Sequence, residues 1–175
     1  MVLKNTRLLL LSPFAYLVCA MGLLLNATTC AAMSRMYDAQ VLDKDGIPCF
    51  TVQEDHQKDA PKLSSIDVLD ISQRASRMMW DQFSIQQDRV PFLFSAAVCL
   101  LYGTPFENTG ESSNPKKLEV GKSYRVDISA FVPKGEGSEN RNYRARFCLS
   151  RTESGGVKVH QVIYNKGWRY EVCQP

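Results

Sequence analysis

The chain has 175 residues, 45% of them hydrophobic and 22% charged, with a formal net charge of +3 at neutral pH. A charge balance so close to zero gives no electrostatic footprint for nucleic acid, which needs a strongly basic surface. No internal repeat or low-complexity tract appears, and the length suits a single core behind a short leader.

The leader comes first. Lys4 and Arg7 precede an uncharged run from Leu8 to Leu25, followed by the small or weakly polar Asn26, Ala27, Thr28, Thr29 and Cys30. A basic start, an apolar stretch and a small-residue exit form the order of an export signal, with the basic end held on the cytoplasmic side. At about 18 residues the run also reaches the lower limit for a spanning helix. Residues 1–32 are therefore read as a signal or lipoprotein leader, or as an N-terminal anchor. Three fates follow: cleavage before Cys30 with lipid attached to that cysteine, ordinary cleavage near Ala31 or Ala32, or retention as an anchor. Lipidation of Cys30 is placed first, although Ala27 and Thr29 stand where a lipoprotein signal usually has Leu and then Gly or Ala. All three fates put residues 33–175 on the same side of the membrane.

In that exported part the acidic and basic residues almost cancel, but they are unevenly spread. Residues 36–90 hold ten acidic and six basic side chains, and 116–175 hold twelve basic and six acidic. A basic second half could meet an acidic partner protein, or could simply be solvated strand faces.

Strand signals separated by turn chemistry then run through the domain. Met36 to Leu42 leads into the Asp43-Lys44-Asp45-Gly46 turn, and Ile47 to Glu54 resumes the chain. Asp55 to Lys62 reads as a polar loop, Ile66, Val68 and Leu69 as a short strand, and Ser72 to Met79 as a helical turn. Trp80, Phe83 and Ile85 suggest another strand. Phe92 to Tyr102, bounded by Pro91 and Gly103, is apolar enough for a fully buried strand and too short to span a membrane as a helix. Residues 104–117, rich in Gly, Ser, Asn and Pro, read as a mobile loop.

The second half carries the clearest period. Tyr124, Val126, Ile128, Ala130 and Val132 alternate with Ser123, Arg125, Asp127, Ser129 and Phe131, as a strand with one buried face requires. Pro133 to Asn142 reads as a polar turn. Tyr143, Ala145, Phe147 and Leu149 then alternate with Arg144, Arg146 and Cys148. Gly155-Gly156 and Asn165-Lys166-Gly167 mark two further turns around Val157 to Tyr164, and Trp168 to Cys173 ends the series. Seven to nine short strands at this spacing predict an all-β, antiparallel two-sheet sandwich of immunoglobulin-like or related type.

Leaving aside Cys19 and Cys30, the exported part holds Cys49, Cys99, Cys148 and Cys173. An even number outside the cytoplasm reads as two disulfides, and four cysteines allow three pairings. Cys49 with Cys99 and Cys148 with Cys173 is favoured, because each pair joins strands in one half of the chain. No spacing suits a metal knuckle, so neither a metal nor a cofactor is expected.

Groups for catalysis are sparse. The histidines are His56, in a polar stretch, and His160, on an alternating strand, and no HExxH, GxSxG or phosphate loop occurs. Ser113-Asn114-Pro115-Lys116 has SxxK spacing but no helix to present it. A Cys99–His160 nucleophile pair competes with the disulfide reading and loses. No catalytic residue is assigned. Phe131 shares a strand face with Arg125, Asp127 and Ser129, and an aromatic near arginines such as Arg144 and Arg146 has the composition of a protein-binding hot spot.

The hydrophobic leader ending near Cys30, the Gly46-Ile47-Pro48-Cys49-Phe50 stretch, Leu118 to Val126, Tyr143 to Leu149 and the final Cys173 together resemble small Gram-negative periplasmic lipoproteins described as type VI secretion immunity proteins. The resemblance implies a non-enzymatic, disulfide-stapled protein on the periplasmic side of a bacterial membrane, lipid-anchored, that binds and occludes a secreted toxin. The plug would be the 104–117 or 133–142 loop, or the Phe131, Arg144 and Arg146 surface. Rival readings are an assembly lipoprotein of an envelope secretion machine and an inhibitor of a cell-wall lytic enzyme.

Overall fold

The computed structural model describes residues 36–84, 94, 98–105, 110 and 113–162. The chain divides into two units, Met1–Met33 and Ser34–Pro175, and every described residue belongs to the second. The leader, Cys30 and Cys173 lie outside the described residues. Among those described, no helix is long and apolar enough to cross a membrane.

Among the described residues the class is all-β with one short helix. In chain order the elements are β1 (Met36–Lys44), β2 (Ile47–Val52), α1 (Glu54–Gln57), β3 (Lys62–Asp70), β4 (Arg77–Phe83), β5 (Leu100–Leu101), β6 (Ser123–Lys134), β7 (Gly137–Arg151) and β8 (Val157–Val162). The strands join in one mixed sheet of order β4-β3-β6-β7-β1-β2-β5, with β8 also pairing with β7. Most neighbours are antiparallel, as expected. The departure is β1, which runs parallel to β7 over Met36–Asp38 and Asn142–Arg144.

That pairing explains how one sheet makes a core. β1 shares the edge of β7 with β8: β1 takes residues 142–144 of β7, and β8 takes 146–151. Beyond Asp38, β1 leaves β7, and side chains bridge it to β8 in place of a backbone ladder. The Gln161 amide bonds Val41 and Ala39, and the Asp43 carboxylate accepts the Val159 amide hydrogen at 3.0 Å. The sheet thereby curls, carrying β2 over the inner faces of β4 and β7. Phe50 stacks on Trp80 at 6.4 Å and meets Phe147 at 5.7 Å. Tyr102, just past β5, packs edge-on against Trp80 of β4, so the two ends of the sheet approach each other.

The inward residues of β6 are buried in strict alternation from Tyr124 to Val132, and β7 continues the pattern from Tyr143 to Leu149. Burying each large apolar side chain stabilises the fold by roughly 1.5–3 kcal/mol. Cys49 and Cys99 form a disulfide that ties β2 to the approach to β5. Cys148 is also disulfide-bonded, and its partner lies outside the described residues.

Turns follow their chemistry. Asp45 and Gly46 both have positive φ, 54° and 81°, as a two-residue β1–β2 hairpin of the mirror-image type requires. A Cβ on Gly46 would come within 2.7 Å of the Val157 carbonyl oxygen, so only glycine fits there.

Four sequence expectations change. α1 runs from Glu54 into the expected polar loop at 55–62, and the expected helical turn at Ser72–Met79 is a bend followed by the start of β4. Of the expected buried strand at 92–102, only Leu100–Leu101 is strand among the described residues. The expected turn at 133–142 is strand except for its two-residue tip, Gly135–Glu136. At 104–117, the described positions hold to the outer edge of β4. Gly110 donates its amide hydrogen to the Phe83 carbonyl and Lys116 to the Met79 carbonyl, each at 3.0 Å. The segment thereby covers part of an edge strand that would otherwise invite pairing.

Candidate functional site

Outward-facing residues of β4, β3, β6 and β7 form a half-buried polar face, and the register orders it into rows. Asp81 lies opposite Asp67, Asp67 opposite Asp127, Asp127 opposite Arg144, and Arg144 beside Asp38. Three carboxylates thus sit side by side on adjacent strands, where directly opposed like charges repel. The outer two are compensated. Asp127 takes the Nε of Arg144 at 2.5 Å and lies 2.9 Å from the Nε of Arg125, while Asp81 accepts the Ser113 hydroxyl. Asp67 has no ion pair among the described residues. Burial raises its pKa above the ordinary aspartate value, and the Asp81 and Asp127 charges raise it further against the pull of Arg125.

Phe131, Arg144 and Arg146 do share this outer face, but not as one patch. Phe131 lies opposite Asn140, four residues from Arg144 and six from Arg146 along β7. At about 3.4 Å per residue, that separates it from the arginines by roughly 14 and 20 Å. Arg144 is engaged with Asp127 as well. The three residues therefore do not make a compact aromatic–arginine hot spot.

The more prominent feature is the β6–β7 hairpin. Its last pairing with β3 is Phe131 with Lys62, and the first pairing of β1 with β7 is at Asn142. Past those points Val132, Pro133 and Lys134 pair only with Glu139, Ser138 and Gly137, so the end of the hairpin projects as a two-stranded arm of three residue pairs, with Asn140 and Arg141 at its root opposite the β3-paired Phe131 and Ala130. Residues 133–138 and Asn140 are exposed. The root of the arm is fixed by Arg141. Its guanidinium bonds Asp59 at 2.6 Å and Glu139 at 3.3 Å and lies over the Tyr37 ring, 5.6 Å from its centroid. Those hydrogen bonds hold the Asp59 and Glu139 carboxyls below their usual range.

His56 belongs to this root. It sits edge-on to Tyr37 at 4.6 Å and to Tyr143 at 5.6 Å, which clamps α1 onto β1 and β7. His160 contacts the Ser150 hydroxyl at 2.7 Å, a cross-strand link between β7 and β8 that composition alone did not suggest. Because Cys99 is bonded to Cys49, it is not the thiol of a Cys–His pair. Ser113 and Lys116 are also committed to different partners, the Asp81 carboxylate and the Met78 carbonyl. Among the described residues, no three His, Cys, Asp or Glu side chains converge as a metal site.

Comparison with family models, with curated proteins and with solved structures gives no match for this chain.

Proposed function

We propose that this chain is a non-enzymatic, exported binding domain, held at the periplasmic face of a bacterial membrane through Cys30, that neutralises a secreted toxin by occluding its active cleft. The observation that carries the reading is the projecting β6–β7 arm. It is exposed from residue 133 to 138, rooted through Arg141 and narrow enough to enter a cleft. Of the elements that the sequence offered as plugs, it alone stands clear of its neighbours among the described residues. The described part of 104–117 lies along β4, and Phe131 is far from the arginines. We read the two layers of the curled sheet, β1–β2–β5 over β4–β3–β6–β7, as a relative of the two-sheet sandwich, which serves as the platform for the arm.

The test is protection of growth. Full-length chain is co-expressed with the toxin encoded beside its gene, directed to the periplasm. Protection supports the reading. Unprotected growth arrest, with the chain present in the envelope, counts decisively against it.

A further inference from the structure

The two edges of the projecting arm are not equivalent. In a hairpin closed by two residues, the pair flanking the turn exchanges both backbone hydrogen bonds, and bonded and non-bonded pairs then alternate along the ladder. The flanking pair here is Lys134 with Gly137, and the register runs without a bulge to Ser123 with Cys148. Val132–Glu139 and Ala130–Arg141 are therefore bonded pairs, whose polar groups point across the hairpin. Pro133–Ser138 and Phe131–Asn140 are non-bonded pairs, whose N–H and C=O groups point outward.

On the β6 side, the outward position past Lys62 is Pro133, which has no N–H to offer. Proline on an edge is a common device that blocks strand addition. On the β7 side the outward positions are Ser138 and Asn140, and both keep their donor and acceptor. The same edge, one step further along at Asn142, already carries a parallel strand, the start of β1. Among the described residues, one edge of the arm is blocked and the other is open, in line with an existing strand pairing.

We infer that the β7 edge of the arm, at Ser138 and Asn140, is a strand-addition site that takes an extended segment of the partner protein by main-chain hydrogen bonding. This deepens the binding reading above and rests on it. Recognition of this kind draws its affinity from backbone groups, so side-chain substitutions on the edge are tolerated and loss of an edge N–H is not. Asn140 suits the distinction, since a proline there removes an outward N–H without breaking a bond to β6.

Two measurements test the inference. In hydrogen exchange on the full-length chain alone, the Ser138 and Asn140 amides should exchange at least about tenfold faster than those of Glu139 and Arg141, which bond β6. Equal protection at all four positions means that a second copy or the chain's own residues before Met36 cover the edge, and it overturns the proposal. In the growth assay, Asn140→Pro should weaken protection by roughly tenfold or more in toxin dose, the scale of one or two lost hydrogen bonds. Asn140→Ala and Pro133→Ala should protect as the parent does. An Asn140→Pro chain that protects fully overturns strand addition and leaves the binding reading standing. Failure of the parent chain itself overturns both.

Discussion

The side-chain amide of Gln161 on β8 bonds the backbone of β1 at Val41, whose N–H it accepts at 2.8 Å, while its own Nε2 donates to the Ala39 carbonyl at 3.0 Å. One side chain thus substitutes for the backbone ladder at the point where β1 peels away from β7. Gln161→Ala leaves a donor and an acceptor without partners in a partly buried seam, and should cost about 1–3 kcal/mol. Gln161→Glu keeps the acceptor for Val41 but sets a carboxylate against the Ala39 carbonyl, so it should also destabilise. Denaturant unfolding of the full-length chain checks both.

Asp67 works in the opposite direction. Its pKa is raised by burial and by Asp81 and Asp127, so the folded state disfavours its charged form. The associated cost is absent below the pKa of the unfolded state, appears as pH rises through the raised folded value and is complete above it. Asp67→Asn should therefore stabilise the fold at neutral pH by about 0.5 kcal/mol, the scale of an opposed like-charge pair discounted for partial exposure. The gain should vanish near pH 3. A pH series of unfolding midpoints for parent and variant reads this directly.

Arg141 should give the reverse pH profile at the root of the arm. Asp59 and Glu139 have lowered pKa values because Arg141 hydrogen-bonds them, so their contribution is present at neutral pH and is lost as pH falls through the depressed folded values. Arg141→Ala should speed exchange of the β6-bonded amides of Gly137, Glu139 and residue 141 while leaving Tyr124 to Ile128 unchanged. Acidification of the parent should lower the protection factors of those same amides, once the slower intrinsic exchange at low pH is divided out.

The Cys49–Cys99 bond closes a sequence separation of 50 residues. Replacing both cysteines by serine should cost about 2–4 kcal/mol, chiefly by freeing the unfolded chain. Calorimetry of the double variant against the oxidised parent measures it.

Local patterning made much of this fold legible. The alternation from Tyr124 to Val132 and from Tyr143 to Leu149 reads directly as two half-buried strands, and Asp45-Gly46 as a tight hairpin. The arm reads as a polar turn in the sequence for a physical reason. Where strands project past the core, both faces are solvated and the period of two disappears, so 133–142 looks like a polar turn. α1 is a single turn, too short for an amphipathic signature. The parallel β1–β7 pairing and the aspartate row depend on register between distant strands, which composition does not encode. The spacing of Phe131, Arg144 and Arg146 along the outer face depends on the Phe131–Asn140 pairing, which the alternation within either strand does not reveal.

The central claim is that the projecting arm is the element that meets the toxin. The most direct measurement compares the parent with a chain in which residues 133–138 are replaced by a two-residue Asn-Gly turn, both directed to the envelope and matched for amount and melting temperature. Protection from the periplasmic toxin should be present in the parent and lost in the shortened chain. Equal protection by the two chains would contradict the account.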